Sequence, residues 1–273
     1  MSADVPMLHE RLAGATVYDL EQMRFAGMPT HPAHKPAYFY GLYRRHRDNY
    51  RPETEGVRSG SSGVLTMMEH SGTHIDALCH QAADLRLFGN VEVDAVETSS
   101  GFTRHGVETI RPLLGRGVLL DVARWKGVDR LAPSYAVSSD DLDECARAQK
   151  VAVTKGDVLL VRTGYGACWS DEAIYNQSAG VGKSGSIWAA DRGVKAAGAD
   201  NFAWDTLHER DPETKSTLFA HVHFLQRKGI YIMENMNLEE LAAAKVHAFT
   251  FVGIPLKLRG ATGSPIRPLA LVE

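Results

Sequence analysis

The segment MEHSGTHIDALCH (68–80) places His70, His74 and His80, three of the chain's 12 histidines, in eleven residues together with Asp76. Imidazole nitrogen and carboxylate oxygen are the donors that bind Zn²⁺ or Mn²⁺, and a bound dication of this kind activates water. Gly72, flanked by Ser71 and Thr73, predicts a turn after the strand-like VLTMM that folds His70 and His74 around one point. Asp76 then reads as the cap of a helix over IDALCHQAADLRLF, with His80 four residues on and on the same helical face. Two imidazoles, a carboxylate and a third imidazole can thus be aimed at one small volume.

A second group lies far along the chain. His221 and His223 fall in the helix expected over TLFAHVHFLQRKG, where His221 shares a face with Phe224 and Leu225 and points inward. His223 turns towards the side of Arg227, leaving His221 the better candidate ligand and His223 the reserve. Glu234 ends the apolar strand GIYIM, a place where a carboxylate is costly unless it is paired or bound to metal.

The elements that must position these groups alternate. GVLLDV (117–122) and DVLLVRTG (157–164) read as buried strands, and SSDDLDECARAQK between them as a capped helix. A helix over SIWAADRGVKAAG, the strands NFAWDT, GIYIMEN and HAFTFVGIPL, and a short helix at LEELAAA complete a single α/β domain over 1–273. The region 1–63 is expected to be irregular. Its aromatic stretch PAYFYGLYRRHRDNY is either a loop packed on the body or a flap lining an aromatic pocket with Phe39, Tyr40, Tyr43 and Trp204. AGVGKSGS (179–186) lacks the first glycine of a phosphate loop and reads as a flexible surface loop.

Bulk properties narrow the function. A net charge of −3 provides no global field for nucleic acid or an anionic membrane. With no apolar run of membrane-span length and no signal-peptide pattern at the start, a cytoplasmic location is expected. Cys79, Cys145 and Cys168 form no CxxC pair and read as small buried residues, Cys79 being ambiguous beside His80.

HSGTHIDALCH resembles the HxGTHxDxxxH signature of the cyclase-like metal-dependent hydrolases, which include bacterial kynurenine formamidase and isatin hydrolase. The resemblance continues through GDVLLVRTGY, HVHFLQRKGIYIMENMNLEELA and PLKLRGATGSPIRPLAL, from about residue 64 onwards. It implies a swivelling β/β/α fold in a homodimer or homotetramer, acting on a small-molecule substrate. It also implies that His70, His74 and Asp76 bind a first ion, that Asp76 bridges to a second, and that His221 and Glu234 complete the site. His80 corresponds to the general acid/base. The chain departs from the formamidase pattern at Leu78, where proline is usual, and both one and two ions are known in the family. The reaction expected is opening of an amide, lactam or formamide bond of an aromatic or cyclic substrate. Lactone opening, cyclisation or dehydration at the same centre, and a non-catalytic metal-binding protein, are the alternatives.

Overall fold

The computed structural model describes residues 8–273. Among them, the longest hydrophobic strands of the sequence lie side by side in the middle of a nine-stranded sheet. In chain order its strands are β1 (Thr16–Asp19), β2 (His74–Asp76), β3 (Leu113–Asp121), β4 (Val158–Arg162), β5 (Ala196–Ala199), β6 (Tyr231–Glu234), β7 (Ala248–Gly253), β8 (Gly263–Pro265) and β9 (Leu269–Val272). Their spatial order is β1-β9-β7-β3-β4-β5-β6-β2-β8. The four central strands, β3 to β6, are parallel, and every other pairing is antiparallel.

The strand period of two divides the core. Val118, Leu120, Leu159 and Val161 face one cluster, where they meet Leu142 and Cys145 of α1 (Ser139–Ala148) and Trp188 and Ala189 of α2 (Lys183–Asp191). Leu119, Leu160 and Met233 face the other, with Ile75, Phe251 and Leu241 of the short helix α3 (Glu239–Ala243). Both faces are covered, which is why these strands read as continuous apolar runs. The start of α1 is a capping box: Ser138 Oγ accepts from Asp141 N at 3.1 Å and the Asp141 carboxylate accepts from Ser138 N at 2.9 Å.

Several expectations are corrected. No helix follows Asp76. Residues 74–76 are extended because β2 is held on both sides, His74 opposite both Glu234 and Pro265. A turn closed by His80 N to Ala77 O at 2.9 Å follows, and Asp84 and Leu85 then take left-handed backbone (φ 48° and 56°). Cross-strand hydrogen bonds override the helical propensity of this segment.

NFAWDT is not a strand; the strand is Ala196–Ala199, directly before it, and α2 ends at Asp191. AGVGKSGS is not a flexible loop, since Gly180–Val181 is a buried strand segment paired with Ala136–Val137 and Lys183 opens α2. The region before residue 64 is less irregular than expected. It supplies the edge strand β1 and the strand Tyr38–Arg44, which forms a two-stranded ribbon with Ser62–Met67. Among the described residues, no helix is long and apolar enough to cross a membrane.

Candidate metal centre

The turn between the ribbon and β2 carries the first candidate ligands and is pinned from several directions. The Arg24 guanidinium donates to the carbonyls of Ser71 and Thr73. Thr73 Oγ1 donates to Asn235 O at 2.6 Å, and Asn235 Nδ2 donates to Gly72 O at 3.1 Å. Gly72 has φ +62°, and a Cβ there would lie 2.4 Å from Arg24 Nη1, so the turn needs glycine on two counts.

Five of the six candidate residues are buried, and the sixth, His80, faces a cavity. The sheet register sets Glu234 opposite His74, with His74 Nε2 at 3.1 Å from Glu234 Oε2 and 3.5 Å from Asp76 Oδ1. His221 comes from the π-helix His221–Lys228, and its Nε2 lies 3.3 Å from Glu234 Oε1 and 3.7 Å from Asp76 Oδ2. His70 Nδ1 is 2.8 Å from Asp76 Oδ1, and the His80 ring lies 3.9 Å from that of His70 between centroids. Two overlapping sets result, His74–Asp76–Glu234 and His70–Asp76–His80, each with donor atoms within 4.8 Å of one another and with Asp76 common to both.

The arrangement fits a divalent ion on the state of its donor atoms. His74 Nδ1 donates to Gly72 O at 2.8 Å and His221 Nδ1 to Asp205 Oδ2 at 2.9 Å. Each bond turns the other ring nitrogen, Nε2, towards the carboxylates, which is how metal-binding histidines are ordinarily oriented. His74 Nε2, Asp76 Oδ2 and Glu234 Oε1 are buried without a well-formed hydrogen bond, although ion-pair partners lie 3.1 to 3.7 Å away. Such atoms cost about 1–3 kcal/mol each when left unsatisfied, and more when charged. A cation among them satisfies all three. His70 fits less directly: its nitrogens already contact Asp76 and Thr262 Oγ1, each at 2.8 Å, so binding an ion there replaces one of those contacts.

Without a metal, protons hold the charges together. Burial disfavours charge on His74, yet the Asp76 and Glu234 carboxylates hold its pKa up to about 10. Burial likewise opposes charge on His221, which Asp205 and Glu234 keep protonated well above the usual imidazole range. Burial also opposes ionisation of Asp76 and Glu234, but the surrounding imidazoles hold both below the usual carboxylate range. His80 differs: burial, with His70 and His221 beside it, pushes its ring down to about 3 despite Asp76. Burial and neighbouring imidazoles similarly lower His34 to about 4. Burial raises the Cys79 thiol to about 12, which makes it a packing residue and not a nucleophile.

The centre opens into a cavity of about 270 Å³, bounded on its apolar side by Pro29, Phe202, Leu207 and Leu218. The aromatics expected to line it do not. Trp204 is fully buried, its indole N–H on Ser186 Oγ at 3.1 Å, whereas Phe39, Tyr40 and Tyr43 are exposed on the ribbon. Of the two histidines left open on the π-helix, His221 reaches the cluster. His223 stacks on Phe219 at 5.2 Å instead.

Sequence reasoning missed Asp205, which orients His221, and Thr262, which holds His70; neither stands in a pattern that marks it. It also missed His34, whose ring lies 5.1 Å from that of His70.

The cyclase family model matches residues 18–206, a stretch that contains His70, His74, Asp76 and His80. The chain belongs to the cyclase family. The kynurenine formamidase of Delftia acidovorans is 29% identical over 207 residues, covering 75% of this chain and 77% of that one. A crystal structure of a novel cyclase superposes with a TM-score of 0.84 at 28% identity, covering 97% of this chain and 89% of the other. Isatin hydrolase A from Ralstonia solanacearum shares the fold along both whole chains, with a TM-score of 0.73 at 19% identity. As a cyclase-family fold, the chain keeps the α/β single-domain architecture expected of it.

Proposed function

We propose that this member of the cyclase family is a metal-dependent amidohydrolase that opens an amide, lactam or formamide bond of a small cyclic or aromatic substrate. One observation carries the reading. Buried nitrogen and carboxylate oxygen atoms of His74, Asp76, Glu234 and His221 converge at 3.1 to 3.7 Å, and Glu234 and His221 also line a cavity sized for one small ring system. The kynurenine formamidase relative supports the same chemistry. His74, Asp76, Glu234 and His221 would hold Zn²⁺ or Mn²⁺, with His70 a further candidate ligand. When bound, such an ion supplies Lewis acidity, bringing the pKa of a water towards about 7 and polarising the substrate carbonyl.

The chain's own residues do the rest. Gly72 O and Asp205 fix the His74 and His221 tautomers, so that both Nε2 lone pairs converge. Pro29, Phe202, Leu207 and Leu218 hold the substrate's apolar face and exclude water from it. Among the described residues no side-chain hydrogen bond ties up the His80 ring, which faces the cavity in neutral form and can take a proton from the attacking water. Burial makes its charged form unfavourable, which favours passing that proton to the departing nitrogen.

The assembly we propose is a homodimer or homotetramer in which a second copy covers the ribbon. Phe39, Tyr40, Leu42, Tyr43, Val64 and Leu65 are all exposed there, on both faces of a two-stranded element that is marginal alone. Sedimentation of the wild type against Tyr43→Arg tests this, a monomeric wild type refuting it.

Metal analysis joined to a screen of formamides, lactams, imides and lactones tests the function. The expected result is bound Zn²⁺ or Mn²⁺ and chelator-sensitive cleavage of a C–N bond. A metal-free protein whose stability ignores a strong chelator sinks the reading, as does a metal-loaded protein that cleaves only lactones.

A further inference from the structure

His34 enters the cavity from the N-terminal side, half-buried, at the end of the short 3₁₀ turn Pro32–His34. Most other polar side chains of the wall make at least one hydrogen bond, and His31 is exposed at its rim. Thr30 Oγ1 donates to Met28 O at 3.1 Å, and Ser71 Oγ to Met68 O at 2.6 Å. Gln81 Nε2 donates to Ala82 O at 2.9 Å, Asn235 Nδ2 to Gly72 O at 3.1 Å, and His31 Nδ1 accepts from Ala33 N at 3.3 Å. His70 and His221 are held by Thr262, Asp76 and Asp205. Among the described residues of this wall, two imidazoles have no hydrogen bond at either ring nitrogen, His80 and His34. Proton transfer uses the first.

His34 lines the same cavity as the apolar Phe202, Leu207 and Leu218 and as the candidate ligands His221 and Glu234. We infer that His34 is a substrate-orienting residue, donating a ring N–H to an acceptor oxygen carried close to the scissile bond. An imidazole retains at least one N–H whether neutral or charged, so the contact does not depend on its titration. Its 5.1 Å separation from the His70 ring suits an acceptor on the neighbouring ring position, not one at the far end of the substrate. The inference rests on the hydrolase reading for the identity of the reacting bond.

The test compares formanilide with its ortho-acetyl derivative, which carries the same formamide plus one acceptor oxygen, in wild type, His34→Phe and His34→Gln, all metal-loaded. His34→Phe should keep its metal content and Tm. Its KM for the ortho-acetyl compound should rise about 3–100-fold, the range for losing one hydrogen bond to a neutral or charged group, while its KM for formanilide holds. His34→Gln, which retains an N–H donor, should recover part of the loss. Equal losses on both compounds, or none on either, overturn the assignment. If the wild type cleaves neither compound, the hydrolase reading is what has failed. Calorimetric binding of the same pair then reads His34 directly, and wild-type protein that binds the ortho-acetyl compound no more tightly than formanilide overturns the inference as well.

Discussion

Loading the metal-free protein with a divalent ion at pH 7 is expected to expel protons, and two rings set how many. The carboxylates around His74 hold its pKa up to about 10 against the opposing effect of burial, and those around His221 act in the same direction. Each ring must lose its Nε2 proton before it can donate a lone pair. For His74 at pH 7, three units below its pKa, that loss costs about 4 kcal/mol, which the ion must offset. Affinity should therefore rise about tenfold per pH unit for each ring deprotonated, or about 100-fold for both, between about pH 6 and 8. Calorimetric titration of Zn²⁺ or Mn²⁺ in two buffers of different ionisation enthalpy counts the protons directly, and about two per ion are expected. Release near zero, or an affinity flat over that window, refutes the reasoning. The same signs govern the metal-free fold. The stabilisation from protonated His74 is complete below its ordinary 6.5 and is lost as pH rises through about 10. That from Asp76 and Glu234, whose pKa values are depressed, is present above the ordinary carboxylate range and is lost on acidification. Metal-free protein should thus melt earlier in both acid and alkali, and scanning calorimetry across pH checks it.

His80→Ala should keep its metal and fold but lose about 10²–10⁴-fold in turnover, whereas His74→Ala should lose metal, and activity with it; equal metal loss in both variants would make His80 a ligand. Asp205→Asn removes the charge that orients His221 and should weaken metal affinity about 10–100-fold with little change in Tm, read by competition against a chelating dye. Gly72→Ala puts a Cβ on left-handed backbone against Arg24 and should cost about 1–3 kcal/mol in stability by urea unfolding; an unchanged midpoint would show that the turn can relax.

The site was legible where chemistry is dense. His70, His74, Asp76 and His80 stand in one segment, and Glu234 announces itself as an acid at the end of an apolar strand. His221 was separable from His223 because its neighbours Phe224 and Leu225 are core residues, a pattern that survives the change from α- to π-helix. The parallel strands at 117–122 and 157–164 were legible because both their faces are buried. What stayed hidden depends on distant pairing. The segment IDALCHQAADLRLF has helical propensity, but β6 and β8, from the far end of the chain, hold its start extended, and turns follow. Asp205 and Thr262 act through tertiary contacts that leave no local periodicity. The ribbon aromatics misled because aromatic composition alone does not distinguish a pocket lining from a projecting surface.

The register that sets Glu234 against His74 also has a temporal meaning. During synthesis the histidine-rich turn leaves the ribosome long before β6 and β8 exist, so the nascent chain carries only a loose, incomplete set of candidate ligands. The ordered ligand cluster comes into being when β2 is clamped between those two late strands. On the proposed function, tight capture of an ion would follow translation and would report a finished sheet.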